Sequence, residues 1–62
     1  MSDLLQHIAR KLDDELRVVE EDLVRGTAAD FAAYKHACGK HHGLLVAKIL
    51  VMELTERLEN DD

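Results

Sequence analysis

Apolar side chains fall at Leu5, Ile8, Leu12, Leu16, Val19 and Leu23, always three or four residues apart. That spacing keeps them on one side of an α-helix, so the stretch from about 2 to 25 is predicted to be amphipathic. Ser2 is placed to cap its start, with Asp3 in the favourable first turn. The other positions carry mostly charged residues, from Arg10 and Lys11 to Glu21 and Asp22, and form a wet face with i,i+4 pairs such as Asp13 with Arg17. Leu4, Val18 and Val24 lie beside the stripe and widen it.

The pattern is interrupted at Arg25-Gly26. Glycine takes the left-handed conformation that closes a helix, and a cation suits the last turn. Thr27 is then expected to cap a second helix, with Asp30 three residues on completing a capping-box-like pair. With only a residue or two between them, the two helices must fold back on each other.

The second helix is predicted from about 28 to 60, roughly 48 Å long at about 1.5 Å per residue. Its first half is sparing in large apolar groups. Phe31, Tyr34 and Cys38 line up along the face shared with the first helix, surrounded by Ala28, Ala29, Ala32, Ala33, Ala37, Gly39 and Gly43. Each interior glycine costs about 1 kcal/mol relative to alanine, so a close helix crossing, a bend or an interruption is expected near 39–43.

From Leu44 onward, apolar residues occupy nearly the whole circumference. One antiparallel neighbour can cover a single stripe, expected to be Leu45, Ile49 and Met52, meeting Leu12, Leu16 and Val19. A second stripe through Leu44, Val51, Leu54 and Leu58 is then left over, and contiguous apolar surface of this kind marks an interface. The predicted association surface is drawn from Leu44, Ile49, Val51, Met52, Leu54 and Leu58. The acidic end, Glu59 to Asp62, reads as a solubilising tail.

Composition narrows the function classes. The chain has 62 residues, no proline, one cysteine and a formal charge of −5. This is the profile of a single helical domain spanning 1–62, at a size where oligomerisation commonly supplements a small core. A lone thiol and the lack of a signal-like start point to a reducing, cytosolic site of synthesis. No apolar run is long enough to span a membrane. The acidic balance disfavours general attraction to nucleic acid. Between Phe31 and Met52, however, there is no acid, while Lys35, Lys40 and Lys48 lie there with His36, His41 and His42.

That segment also holds the candidates for chemistry. Cys38 with His41 or His42 has the i,i+3 or i,i+4 spacing that places two metal ligands on one helix face, but a tetrahedral site needs four, and His7 is the only further histidine outside the cluster. Nucleophilic catalysis by Cys38 would need a base, an orienting group and an oxyanion site in a pocket. Gly39-Lys40-His41-His42-Gly43 is not preceded by a strand, so it does not match a phosphate-binding loop; it reads as a helix crossing point. No catalytic, cofactor-binding or metal-binding residue is assigned.

Gly26-Thr27-Ala28-Ala29-Asp30-Phe31-Ala32-Ala33-Tyr34-Lys35, then Cys38-Gly39 and Gly43-Leu44, resembles a pattern of small helical proteins of tailed bacteriophages. In those, an acidic helix leads to a Gly-small-Ala-x-Asp-aromatic-x-x-Tyr segment and then to a Gly-Leu pair opening an amphipathic helix. The resemblance implies a structural or assembly component that docks on a capsid, portal or tail protein, in the host cytoplasm or the virion. In architecture the chain is also similar to plasmid-control hairpins that dimerise into four-helix bundles and bind RNA, although it lacks their basic and aromatic face.

The expected molecule is therefore an all-α, antiparallel two-helix hairpin assembling into a coiled-coil-like helical bundle. Its expected role is non-enzymatic self-association, or docking on a larger protein, through the C-terminal half of helix 2. The alternative is a dimeric four-helix-bundle regulator that binds nucleic acid through Lys35, Lys40 and Lys48.

Overall fold

A computed structural model describes residues 3–60. Ser2, the expected cap of the first helix, and Asp61 and Asp62 of the acidic end lie outside the described residues. Two helices account for the fold: α1, Asp3–Arg25, and α2, Phe31–Asn60. They form an antiparallel all-α hairpin with extents of 50 × 15 × 13 Å. The long dimension is that of α2, whose 30 residues span about 45 Å at 1.5 Å per residue.

The closure of α1 is a Schellman motif. Gly26 stands at φ 69°, the Gly26 amide donates to the Leu23 carbonyl at 3.1 Å, and the Thr27 amide donates to the Asp22 carbonyl at 3.3 Å. A side chain at Gly26 would add the left-handed penalty, so Gly26→Ala is expected to cost roughly 1–2 kcal/mol, read as a lower melting midpoint.

The start of α2 differs from the sequence expectation. Thr27 does not cap it: the Thr27 hydroxyl donates backward to the Asp22 carbonyl at 3.1 Å, reinforcing the end of α1. The cap is Asp30, whose Oδ1 accepts from the Ala33 amide at 2.8 Å, while its carbonyl accepts the first helical bond, from Tyr34, at 3.1 Å. The helix therefore begins at 31 instead of 28, and residues 26–30 form a longer connection than one or two residues. One carboxylate at the N-cap position satisfies an orphan amide without a reciprocal partner. Asp30→Ala is expected to lose about 0.5–2 kcal/mol in a denaturant titration.

Of the described residues only Leu16 and Val19 are buried, at 6% and 5% relative exposure. Leu5, Ala9, Leu12 and Leu23 extend that line as half-buried positions of α1. The facing line on α2 is Ala37, His41, Leu44, Lys48, Val51 and Thr55, again half-buried. Both lines alternate steps of four and three residues, the spacing of a coiled-coil seam.

This overturns the expected assignment of the α2 stripes. Leu44 and Val51 face α1 and are not left over, whereas Leu45, Ile49 and Met52 are exposed. Traced onward, the Leu45 line runs into Glu56 and Glu59, which would bring carboxylates against Leu5 and Ala9. The Leu44 line instead offers Lys48 and His41 to α1. Lys48 Nζ meets Asp13 Oδ1 at 2.6 Å, and His41 Nε2 meets Glu20 Oε2 at 2.7 Å. The two contacts are one heptad apart on each helix, so they lock a common register. Partly exposed pairs of this kind each add only about 0–1 kcal/mol, so their main effect is to select the stripe. Asp13 is thus engaged across the hairpin, not with Arg17.

Phe31 and Tyr34 do not lie along the shared face. Their rings pack on each other at 6.3 Å between centroids, Phe31 is 72% exposed, and Lys35 Nζ sits 5.9 Å above the Phe31 ring. The helix α2 runs without a break through Gly39 and Gly43. No close crossing of α1 occurs there either: apart from the chain neighbours and the helix's own backbone, no described atom lies within 4 Å of where a Cβ would stand at either glycine.

Candidate association surface

The two helices differ in what they leave to solvent. The wet side of α1 is mostly charged, and Leu4, Val18 and Val24, expected to widen its apolar stripe, are exposed there along with Ile8. From Leu44 to Leu54, α2 is apolar around nearly its whole circumference, and α1 covers one sector of it. Seven large side chains, Leu45, Val46, Ile49, Leu50, Met52, Leu54 and Leu58, consequently remain between 39% and 59% exposed. At about 100° per residue Val46 lies opposite the seam and the other six divide into two flanks. Leu45, Ile49 and Met52 lie on one side of the seam, and Leu50, Leu54 and Leu58 lie on the other.

The first flank borders an open groove of about 730 Å³ in which Ile49 and Met52 face Leu5 and Ala9, with Arg10 and Glu56 at its rim. The second flank continues toward the turn through Ala47, Gly43 and Gly39. Of the residues expected at the association surface, Ile49, Met52, Leu54 and Leu58 are thus exposed, while Leu44 and Val51 form part of the hairpin seam. Leu45, expected in the core of the hairpin, and Leu50, expected in neither stripe, are exposed beside them.

The polar cluster near the turn is organised by α1. Cys38 and His41 open on a hollow lined by Glu20, Leu23 and Val24, and Glu20 supplies the carboxylate that orients His41. The Cys38 thiol is half-buried beside Tyr34. A hydrogen bond with Cys38, then the charge on that group, and lastly burial raise the Tyr34 phenol above its ordinary pKa. Among the described residues no group of three or more His, Cys, Asp or Glu side chains is arranged to hold a metal ion. The basic segment is partly consumed inside the hairpin, since Lys48 is drawn to Asp13 and His41 to Glu20.

No described helix is long and apolar enough to cross a membrane. No family model, curated protein or solved structure matches the chain.

Proposed function

We propose that this chain is a non-enzymatic assembly protein that works by self-association, or by docking on a larger protein, through the exposed apolar surface of α2. The supporting observation is the run of seven large apolar side chains between Leu45 and Leu58, each more than a third exposed, in a hairpin where Leu16 and Val19 are the only buried side chains among the described residues. Exposed apolar surface of this extent on so small a domain is costly unless something covers it. Together with the resemblance of residues 26–44 to small helical proteins of tailed bacteriophages, it favours a virion component or assembly factor that meets a capsid, portal or tail protein.

Contact with nucleic acid through Lys35, Lys40 and Lys48 is the weaker reading. Lys48 is already paired with Asp13, and the remaining lysines oppose a formal charge of −5. Sedimentation of the purified chain, alone and with purified virion proteins, tests the proposal. Formation of a larger complex is the expected outcome. A folded monomer at every concentration that also leaves the virion proteins unbound would overturn it.

A further inference from the structure

Resting on the association reading above, we infer that the occupant of the Leu50–Leu54 flank of α2 is a second copy of this chain, paired antiparallel about a two-fold axis. Two leucines on one end of this flank and two glycines on the other make the surface complementary to itself. In an antiparallel pairing centred between Val46 and Ala47, Leu50 of each copy lies over Gly43 of the other, and Leu54 lies over Gly39.

Three observations carry the inference. The first is area. The chain exposes 4888 Å², whereas a compact monomer of 7.0 kDa exposes about 4,000 Å², an excess of roughly 900 Å². A standard protein interface removes about 800 Å² from each partner, so one further contact face accounts for the excess.

The second is the space beside the glycines. They lie inside an unbroken 30-residue helix at a cost in helix propensity, and the hairpin does not use the close approach they allow, since apart from the chain neighbours and the helix's own backbone no described atom lies within 4 Å of either Cβ position. Leu50 and Leu54, at 59% and 46% exposure, are the matching unused protrusions on the same flank.

The third is charge. From Phe31 to Met52 the sequence contains no carboxylate. The two α2 helices can therefore meet along this stretch without bringing like acidic charges together, although each chain carries −5 overall. The acidic residues of α1 remain at the outside of the resulting four-helix bundle, a common arrangement for paired hairpins.

The test compares the wild-type chain, Gly43→Leu, and Gly43→Leu with Leu50→Ala, by sedimentation equilibrium and far-ultraviolet circular dichroism. The wild type should be a dimer. Gly43→Leu should keep its helicity, because leucine favours the helix and the added Cβ stands in open space beside the hairpin. It should weaken dimerisation by about a hundredfold, since two-fold symmetry places the overpacking at two sites. The second change opens room opposite the new leucine and should recover most of that loss. A Gly43→Leu chain that dimerises like the wild type would overturn the pairing and leave the association reading standing. A wild-type monomer would overturn the second copy, and binding of that monomer to a virion protein would show that the broader reading survives.

Covalent capture gives a readout independent of these variants. In a Cys38→Ala background, Gly43→Cys with Leu50→Cys should oxidise to a disulfide-linked dimer. Positions 43 and 50 are about 10 Å apart along one helix, beyond the reach of an internal bridge. Monomer alone under oxidising conditions would overturn the pairing.

Discussion

Leu16→Ala is expected to cost about 2–5 kcal/mol, the range for removing a buried leucine side chain. For a domain of this size that is most of the available stability, so the variant should lose the greater part of its helical circular dichroism near room temperature. Leu16 is one of the two buried residues among those described, and the nearby Lys48–Asp13 pair limits how far the seam can close over the gap. Leu45→Ala supplies the contrast. Its side chain is exposed, and its truncation should change the stability of the single hairpin by less than about 1 kcal/mol. Equal losses at positions 16 and 45 in a monomeric background would mean that α1 packs on the Leu45 stripe.

Aspartate at Val51 and at Leu54 should give two different failures. Val51 is half-buried in the seam against α1, so Val51→Asp places an unpaired carboxylate in the hairpin and should destabilise it by more than about 2 kcal/mol, seen as lost helicity. Leu54 faces away from α1 and is 46% exposed. Leu54→Asp should retain helicity and lose association, so its sedimentation should become that of a 7.0 kDa chain. Loss of helicity for Leu54→Asp in dilute solution would place Leu54 in the hairpin core.

Most of the expected line, Leu5, Leu12, Leu16, Val19 and Leu23, was legible in the sequence because α1 has a dominant apolar side, although Ile8, expected on that line, is exposed and Ala9 takes its place. Gly26 likewise announced the turn, as the residue best suited to a positive φ at a helix end. The packing of α2 was harder to read, and the reason is physical: a helix apolar on all sides offers several stripes of similar hydrophobicity. The stripe expected against α1 is Leu45, Ile49 and Met52. The hairpin instead uses a line containing His41, Lys48 and Thr55, because its two basic groups meet Glu20 and Asp13. The signal was present as a seven-residue spacing in both helices, 13 to 20 and 41 to 48, but it appears only when the helices are considered together. The start of α2 was displaced for a similar reason: Thr27 and Asp30 are both good caps, and the Schellman bonds at Asp22 and Leu23 engage Thr27 first.

Four of the six residues expected at the association surface, Ile49, Met52, Leu54 and Leu58, do lie on exposed apolar surface. Apolar excess in the sequence is what leaves this segment of α2 partly exposed. Which side of it remains uncovered depends on the register of α1, and hence on the two cross-helix pairs.

The most direct measurement is sedimentation equilibrium of the purified chain over a wide concentration range, with helicity followed in the same samples. Self-association through α2 predicts a helical species of twice the 7.0 kDa chain mass that dissociates on dilution. A fully helical, stable monomer at all concentrations, unaltered by added virion proteins, would contradict the claim that the exposed surface of α2 is an association surface.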